Sequence, residues 1–191
     1  MDFLSDQILI NNYIKHNDQE SFNILIKKYL DSIYSFAYTY VKDSDIAEDI
    51  ASDVFLKVFK NIRKFNINKK FKTWVFEITK NTALDYIKKR KNINFSSLKS
   101  EDNEEDYFEN SIEDESKLQD EVFDIKNNVL IVKNEINKLS TKYREIINLY
   151  YISELNFREI SEFLNESIDT VKSKHRRALI SLKKSLNKNQ N

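Results

Sequence analysis

The sequence predicts an all-α protein: two small helical domains, residues 1–92 and 125–188, joined by a flexible acidic linker over 93–124. Three observations predict it. Apolar residues recur near a 3.6-residue period through most of the chain. Between 96 and 124 the apolar density falls and acidic residues dominate, a composition that cannot bury a core. Near the C-terminus two periodic segments, 156–164 and 167–186, are separated by only a few residues, as in a helix-turn-helix unit.

The elements follow in order. Over 5–15 the apolar set is Ile8, Leu9, Tyr13 and Ile14. Over 19–41 it is Phe22, Ile26, Tyr29, Leu30, Ile33, Phe36, Ala37 and Tyr40, again at helical spacing. Asp43 or Ser44 suits the N-cap of a third helix running to 62, with Asp45 and Glu48 in a first turn whose dipole favours acids. Ile46, Ile50, Val54, Val58 and Ile62 mark its buried stripe. After a polar loop at 66–70, a fourth helix spans 71–91 and turns Trp74, Val75, Ile78, Ala83, Tyr86 and Ile87 to the core. Trp74 lies on that stripe and is expected to pack rather than stack on a ligand. Beyond the linker, helices are expected at 125–139, 141–151, 156–164 and 167–186.

Composition excludes much chemistry. The 191 residues allow one or two domains. The chain has no Gly, so it has no phosphate-cradling loop, dinucleotide fingerprint or nucleophile elbow. It has no Cys, which removes disulfides, thiol nucleophiles and thiolate-ligated zinc. His16 and His175 are too far apart for a paired metal motif, and neither a metal nor a cofactor is expected. No apolar run approaches the roughly 20 residues of a membrane span, and the first residues lack a signal-peptide pattern. A cytoplasmic protein without membrane insertion is the expectation, with no sensory extension after residue 186.

The formal net charge is zero, but the charges are segregated. The balance is −6 over 1–56, +10 over 57–91, −10 over 92–124 and +6 over 125–191. Blocks of alternating sign present separate surfaces to separate partners. Asp45, Asp49 and Asp53 recur every four residues with Glu48 beside them, so they share one helix face. Like charges at that spacing cost an isolated helix about 0.2–0.5 kcal/mol per pair, which invites a basic partner. In 57–91 basic residues interleave with aromatics, a pattern suited to single-stranded DNA.

The C-terminal unit carries the most specific signal. Asn156 and Ser167 sit at the two N-cap positions, and Asn165 occupies the turn position that needs a left-handed residue. Ile160, Leu164, Ile168 and Val171 are placed to lock the helices together. Lys172, Ser173, Arg176 and Arg177 then fall on one outward face that fits a major groove. The bland reading, basic residues complementing a helix C-terminus, accounts for Lys183 and Lys184 but not for the preceding cap-turn-cap pattern.

This segment resembles region 4 of the sigma-70 family, in its extracytoplasmic-function branch. The stretch Ile46-Ala47-Glu48-Asp49-Ile50-Ala51-Ser52-Asp53-Val54-Phe55-Leu56 resembles the A-E-D-x-x-Q-E-x-F-L signature of region 2. Residues 71–90, with Phe71, Thr73, Trp74, Ile78, Asn81, Ala83, Asp85 and Arg90, resemble F-x-T-W-L-x-x-I-A-x-N-x-A-x-D-x-x-R-R. The resemblance implies a dissociable specificity subunit of bacterial RNA polymerase that performs no chemistry. Asp45, Glu48, Asp49 and Asp53 would dock on the β′ clamp helices, with Ser52 standing where the family has Gln. Asn66, Lys69, Lys70 and Asn81 would hold a base flipped from the melted −10 element, and Lys88, Lys89 and Arg90 would contact phosphates. Arg158, Lys172, Ser173, Arg176 and Arg177 would read the duplex −35 element, while this domain meets the β flap. The acidic linker would thread the RNA exit path, as a tether or as a mimic of RNA. An anti-sigma factor is a further implied partner. Two rivals stay open: a stand-alone helix-turn-helix regulator, and a metal-dependent all-α nucleotide hydrolase built on the acidic helix.

Overall fold

A computed structural model describes residues 5–97 and 120–188. These form two compact units, and the described residues contain helices and turns but no strand.

The first unit contains α1 (Asp6–His16), α2 (Gln19–Val41), α3 (Ser44–Asn61), a short 3₁₀ turn (Ile62–Lys64) and α4 (Phe71–Ser97). Each boundary has a local cause. Ser5 Oγ accepts from Ile8 N at 3.4 Å, Asp18 Oδ1 from Glu20 N at 3.1 Å, and Asp43 Oδ1 from Ile46 N at 3.1 Å. These satisfy donors that the first turn of a helix leaves open. Asn17 and Lys42 end α1 and α2 in the left-handed conformation, at φ 53° and 54°. In a chain without Gly, that conformation falls to residues that bear a Cβ.

The core of this unit lies where α2 meets α1, α3 and α4. Phe36 and Phe76 are fully buried, with ring centroids 5.0 Å apart at 65°. Leu9, Ile10, Ile33, Ile50, Val54 and Val75 surround them in the buried set. The expected stripes hold with informative exceptions. On α3, Ala47 and Ala51 are buried while Ile46 is only half-buried, because small side chains let helices approach closely. Ile8 and Leu30 were expected inside, yet each is 45% exposed. On α4 the inward face runs through Phe71, Val75, Phe76, Thr79, Thr82 and Ala83. Trp74, Ile78, Tyr86 and Ile87 are half-buried on its flank, so Trp74 is not a core residue. The threonines enter the core because their hydroxyls bond within the helix: Thr79 Oγ1 to Val75 O at 2.8 Å, and Thr82 Oγ1 to Ile78 O at 2.7 Å.

The sequence places the linker over 93–124. Helix α4 continues to Ser97 and α5 begins at Asp120, so both ends of that stretch are helical. Residues 98–119, on which the tether and RNA-mimic readings fall, lie outside the described residues.

The second unit contains α5 (Asp120–Asn137), α6 (Thr141–Ile147), a π-helical turn (Asn148–Ile152), α7 (Phe157–Leu164) and α8 (Ile168–Lys188). Leu139, Ile147, Ala178 and Leu182 form one buried cluster, with Ile136 and Tyr143 packed against it. Arg144 is 3% exposed, and its guanidinium closes the end of α5. It donates to the carbonyls of Asn137 and Leu139 and to Thr141 Oγ1. Glu135, 2% exposed, accepts from Lys138 Nζ at 2.6 Å and from Ser185 Oγ, which ties α5 to α8.

The helix-turn-helix pair forms as its cap residues dictate. Asn156 Oδ1 accepts from Arg158 N at 3.0 Å and Glu159 N at 3.1 Å, while Glu159 Oε2 accepts from Asn156 N at 2.8 Å. This is a reciprocal capping box. Asn165 is left-handed at φ 53°, and Ser167 Oγ accepts from Thr170 N at 3.1 Å to open α8. Ile160, Phe163 and Val171 are buried between the helices, Leu164 is half-buried, and Ile168 is exposed rather than locking the pair. Asn156→Ala is expected to destabilise this unit by about 1 kcal/mol, read by chemical denaturation with a probe in the second unit. An unchanged midpoint would contradict that role for the cap.

Candidate nucleic-acid and protein-docking interfaces

Helix α3 buries Ala47, Ile50, Ala51, Val54 and Val58, and this leaves Asp45, Glu48, Asp49, Ser52 and Asp53 exposed on its other side. Ser44 Oγ donates to Asp45 Oδ1 at 3.4 Å. Among the described residues no ion pair engages Glu48, Asp49 or Asp53. The stripe's field reaches α2: the Tyr34 phenol is held above its ordinary value by burial first, then by the charges of Glu48, Tyr38 and Asp45. One turn beyond Asp53 the same face carries Leu56, 55% exposed. Leu56 closes the 46–56 motif, and its spacing in the sequence marks no role for it. An exposed leucine beside unpaired acids gives the face an apolar anchor.

The loop before α4 is built around Asn66. Its Oδ1 accepts from Asn68 N at 3.0 Å, and its carbonyl accepts from Lys69 N at 2.9 Å. Phe65, Phe71 and Trp74 pack as an aromatic cluster, with Trp74 centroids 4.9 Å from Phe65 and 5.6 Å from Phe71. Between loop and helix lies a groove of 520 Å³ walled by Lys57, Asn61, Lys64, Phe65, Asn66, Lys69, Trp74 and Ile78. Basic groups at the rim with an aromatic wall suit one unstacked base and its phosphates. The structure therefore brings Asn66 and Lys69 together, and adds Trp74, Asn61 and Lys57 to them. Lys70 is exposed at the start of α4, where its carbonyl accepts from Trp74 N at 3.2 Å. Asn81 is exposed on α4 and is not part of the groove wall. Lys88, Lys89 and Arg90 are exposed farther along that helix.

On α8 the basic cluster divides by face. Val171 and Ala178 are buried, while Lys172, Ser173, Arg176 and Arg177 are exposed. Arg158 is exposed at the start of α7. The two remaining members turn inward: Lys174 Nζ pairs with Glu166 Oε1, and His175 packs among aromatic rings. Its centroid lies 4.8 Å from Tyr150, 5.6 Å from Tyr151 and 5.2 Å from Phe157.

Burial holds the His175 imidazole below its ordinary value, and its Nε2 has no hydrogen-bond partner. The unfolded chain therefore takes up this proton first. The contribution to stability is present above about pH 6.5, and is lost as pH falls through that value toward the lower folded pKa. In thermal melts between about pH 7.5 and pH 5.5, His175→Phe should flatten the decline seen in the wild type. Equal declines in both proteins would remove His175 from the pH response.

The described residues thus define a helical protein with a helix-turn-helix unit, a groove lined by basic and aromatic side chains, and an exposed acidic helix face. Among them, no three His, Cys, Asp or Glu side chains converge as a metal site requires, and no helix is long and apolar enough to cross a membrane. Residues 25–93 match the family model for sigma-70 region 2, and residues 130–182 match that for sigma-70 region 4. The chain is 33% identical over 173 residues to the ECF RNA polymerase sigma factor SigW of Bacillus subtilis, covering 91% of this chain and 92% of that protein. It is 28% identical over 167 residues to SigM of the same organism, covering 87% and 96%. Among solved structures, CnrH in complex with the cytosolic domain of CnrY superposes with a TM-score of 0.65 at 20% identity, covering 95% of this chain and 97% of that one. The sigma factor RpoE of Bartonella quintana, in complex with the anti-sigma factor NepR, gives 0.64 at 23%, covering 88% and 98%. At those identities the two structures establish the fold alone. The chain belongs to the sigma-70 family, in its extracytoplasmic-function branch: it is an RNA polymerase sigma factor that directs promoter-specific initiation of transcription.

Proposed function

We propose that the two units divide promoter recognition between them, and that each named surface has one partner. The α3 face of Asp45, Glu48, Asp49 and Asp53, extended by Leu56, docks on the clamp helices of the polymerase β′ subunit. The observation that carries this reading is that, among the described residues, Glu48, Asp49 and Asp53 lie exposed on one helix face and none of them is engaged in an ion pair. The groove at Asn66, Lys69 and Trp74 takes one unpaired base of the −10 element. Lys70, Asn81, Lys88, Lys89 and Arg90 follow the strand. Arg158, Lys172, Ser173, Arg176 and Arg177 read the −35 duplex, and the same unit rests on the β flap. No chemical step belongs to this chain, which works in the cytoplasm.

An anti-sigma factor is a further partner in this reading. Its support is that RpoE of Bartonella quintana, similar in fold, is seen with the anti-sigma factor NepR. Two weak DNA contacts on one chain act at high effective concentration once both are aligned on polymerase, so neither needs to be tight alone.

Fluorescence anisotropy tests the division. A labelled −10 single strand and a labelled −35 duplex, taken from a promoter mapped with this protein, are titrated with the protein alone and with its complex with core polymerase. The expected result is weak binding by the protein alone and tight binding of a joined promoter by the complex. Tight duplex binding by the protein alone, with no effect of core, would instead support a stand-alone regulator.

A further inference from the structure

Among the described side chains of α4, residues 71–91, one large apolar group is exposed: Leu84, at 43%. It lies on a stripe with Glu77, Asn81 and Lys88, all exposed and alternately four and three residues apart, so they share one helix face. A single exposed leucine on an ordinary surface asks for no explanation. Here its neighbours along the helix supply one.

The chemistry of α4 changes along its length. At its N-terminal end Trp74 and Ile78 wall the groove of Asn66 and Lys69, which fits a base pulled out of its stack. Farther along, Lys88, Lys89, Arg90 and Lys91 are consecutive exposed cations. Consecutive residues point to several sides of a helix, so this charge can meet the phosphates of two strands. That density suits a duplex, which carries about one phosphate per 1.7 Å of axis, twice that of one strand. Leu84 stands between the two chemistries, about 15 Å along the axis from Trp74 and about 6 Å before Lys88. At about 3.4 Å per stacked nucleotide, the groove and the cations are only a few nucleotides apart. The groove demands an unpaired base and the cations favour paired strands, so pairing ends near Leu84. Asn81, one turn before it, offers an amide to a base edge, and Lys88, one turn after it, offers an ammonium to a phosphate. Leucine can do neither. It offers an apolar surface, and a broken duplex exposes the apolar face of its last base pair at that point.

We propose that Leu84 is a wedge for promoter opening: it seats on the face of the base pair that borders the melted −10 element and replaces the stacking lost there. This rests on the course of the strand along α4 given above. Apolar side chains of other DNA-bending proteins enter an opened base step in the same way. The contact is apolar, so its strength does not follow salt. It needs a paired edge, so a strand without a partner gains nothing from it.

The test uses the complex of the full chain with core polymerase and two fluorescein-labelled DNAs from a promoter mapped with this protein. One is the −10 single strand, and the other is a fork in which the same strand continues from a paired spacer. Leu84→Ala should weaken fork binding about fivefold, keep single-strand binding within about twofold, and leave the slope of log K against log salt unaltered. Leu84→Met should bind the fork as the wild type does, while Leu84→Gln, polar and of similar length, should fall with Leu84→Ala. Circular dichroism checks that each variant is folded. Equal losses on fork and single strand, no loss on either, or full fork binding by Leu84→Gln overturns the proposal. Trp74→Ala separates the two levels. If it weakens single-strand binding while Leu84→Ala spares the fork, only the wedge fails. If it leaves both DNAs bound as before, the strand assignment fails and the wedge with it.

Discussion

Charge reversal at Asp49 and Asp53, as the pair Asp49→Lys and Asp53→Lys, is expected to abolish binding to core polymerase while leaving the fold intact. Both carboxylates are exposed on α3 and neither is engaged in an ion pair among the described residues, so their removal breaks no internal contact. Within α3 the change is about neutral: the reversal at 49 turns the repulsion from Asp45 into attraction, the reversal at 53 turns the attraction to Lys57 into repulsion, and each is worth about 0.2–0.5 kcal/mol. Against a basic partner the same change turns attraction into like-charge contact. At about 2 kcal/mol for each reversal, the loss is about a thousandfold in affinity. Pull-down of purified core measures it, with circular dichroism and thermal melting as the check on folding. Retained core binding in a folded double variant would remove the docking face from α3.

Replacing Arg176 with Ala is expected to weaken −35 recognition by about 1–3 kcal/mol and to relax preference at one base pair. The helix-turn-helix geometry aims this side chain outward, between the buried Val171 and Ala178 turns of α8. A guanidinium there matches the two acceptors of guanine in the major groove, a fit that a point charge such as Lys does not reproduce. Lys172→Ala should differ in kind. It should weaken all sequences alike and lower the salt slope by about one. Binding competition across single-base variants of the −35 duplex separates the two behaviours. An unaltered preference in Arg176→Ala would reassign that residue to the phosphates.

Helix positions were legible in the sequence wherever caps and periodicity agreed. Asp43, Asn156, Asn165 and Ser167 each take the place their chemistry predicts, and α2 spans Gln19–Val41 as its apolar spacing implies. The face each helix buries was less legible. Thr79 and Thr82 read as polar letters, yet each hydroxyl is satisfied within α4, which lets both enter the core and rotates Trp74 to the flank. Buried Arg144 and Glu135 were invisible for a related reason: their partners are carbonyls and a serine supplied by the tertiary fold. Candidate site residues on single helices, such as Asp45, Asp49 and Asp53, followed from spacing alone. The groove did not, because it unites α3, the loop and α4. Lys57 and Trp74 therefore entered as site residues only with the fold. The division of the Lys172–Arg177 cluster also needed it, since Lys174 and His175 face inward to Glu166 and an aromatic cluster.

The most direct measurement is transcription from fragmented genomic DNA by purified core polymerase, with and without this protein, read by sequencing transcript 5′ ends. The account predicts a set of start sites made only with the protein present, each preceded by two short elements at near-constant spacing. The Asp49→Lys, Asp53→Lys variant should yield none of them. Start sites no different from those of core alone would contradict it.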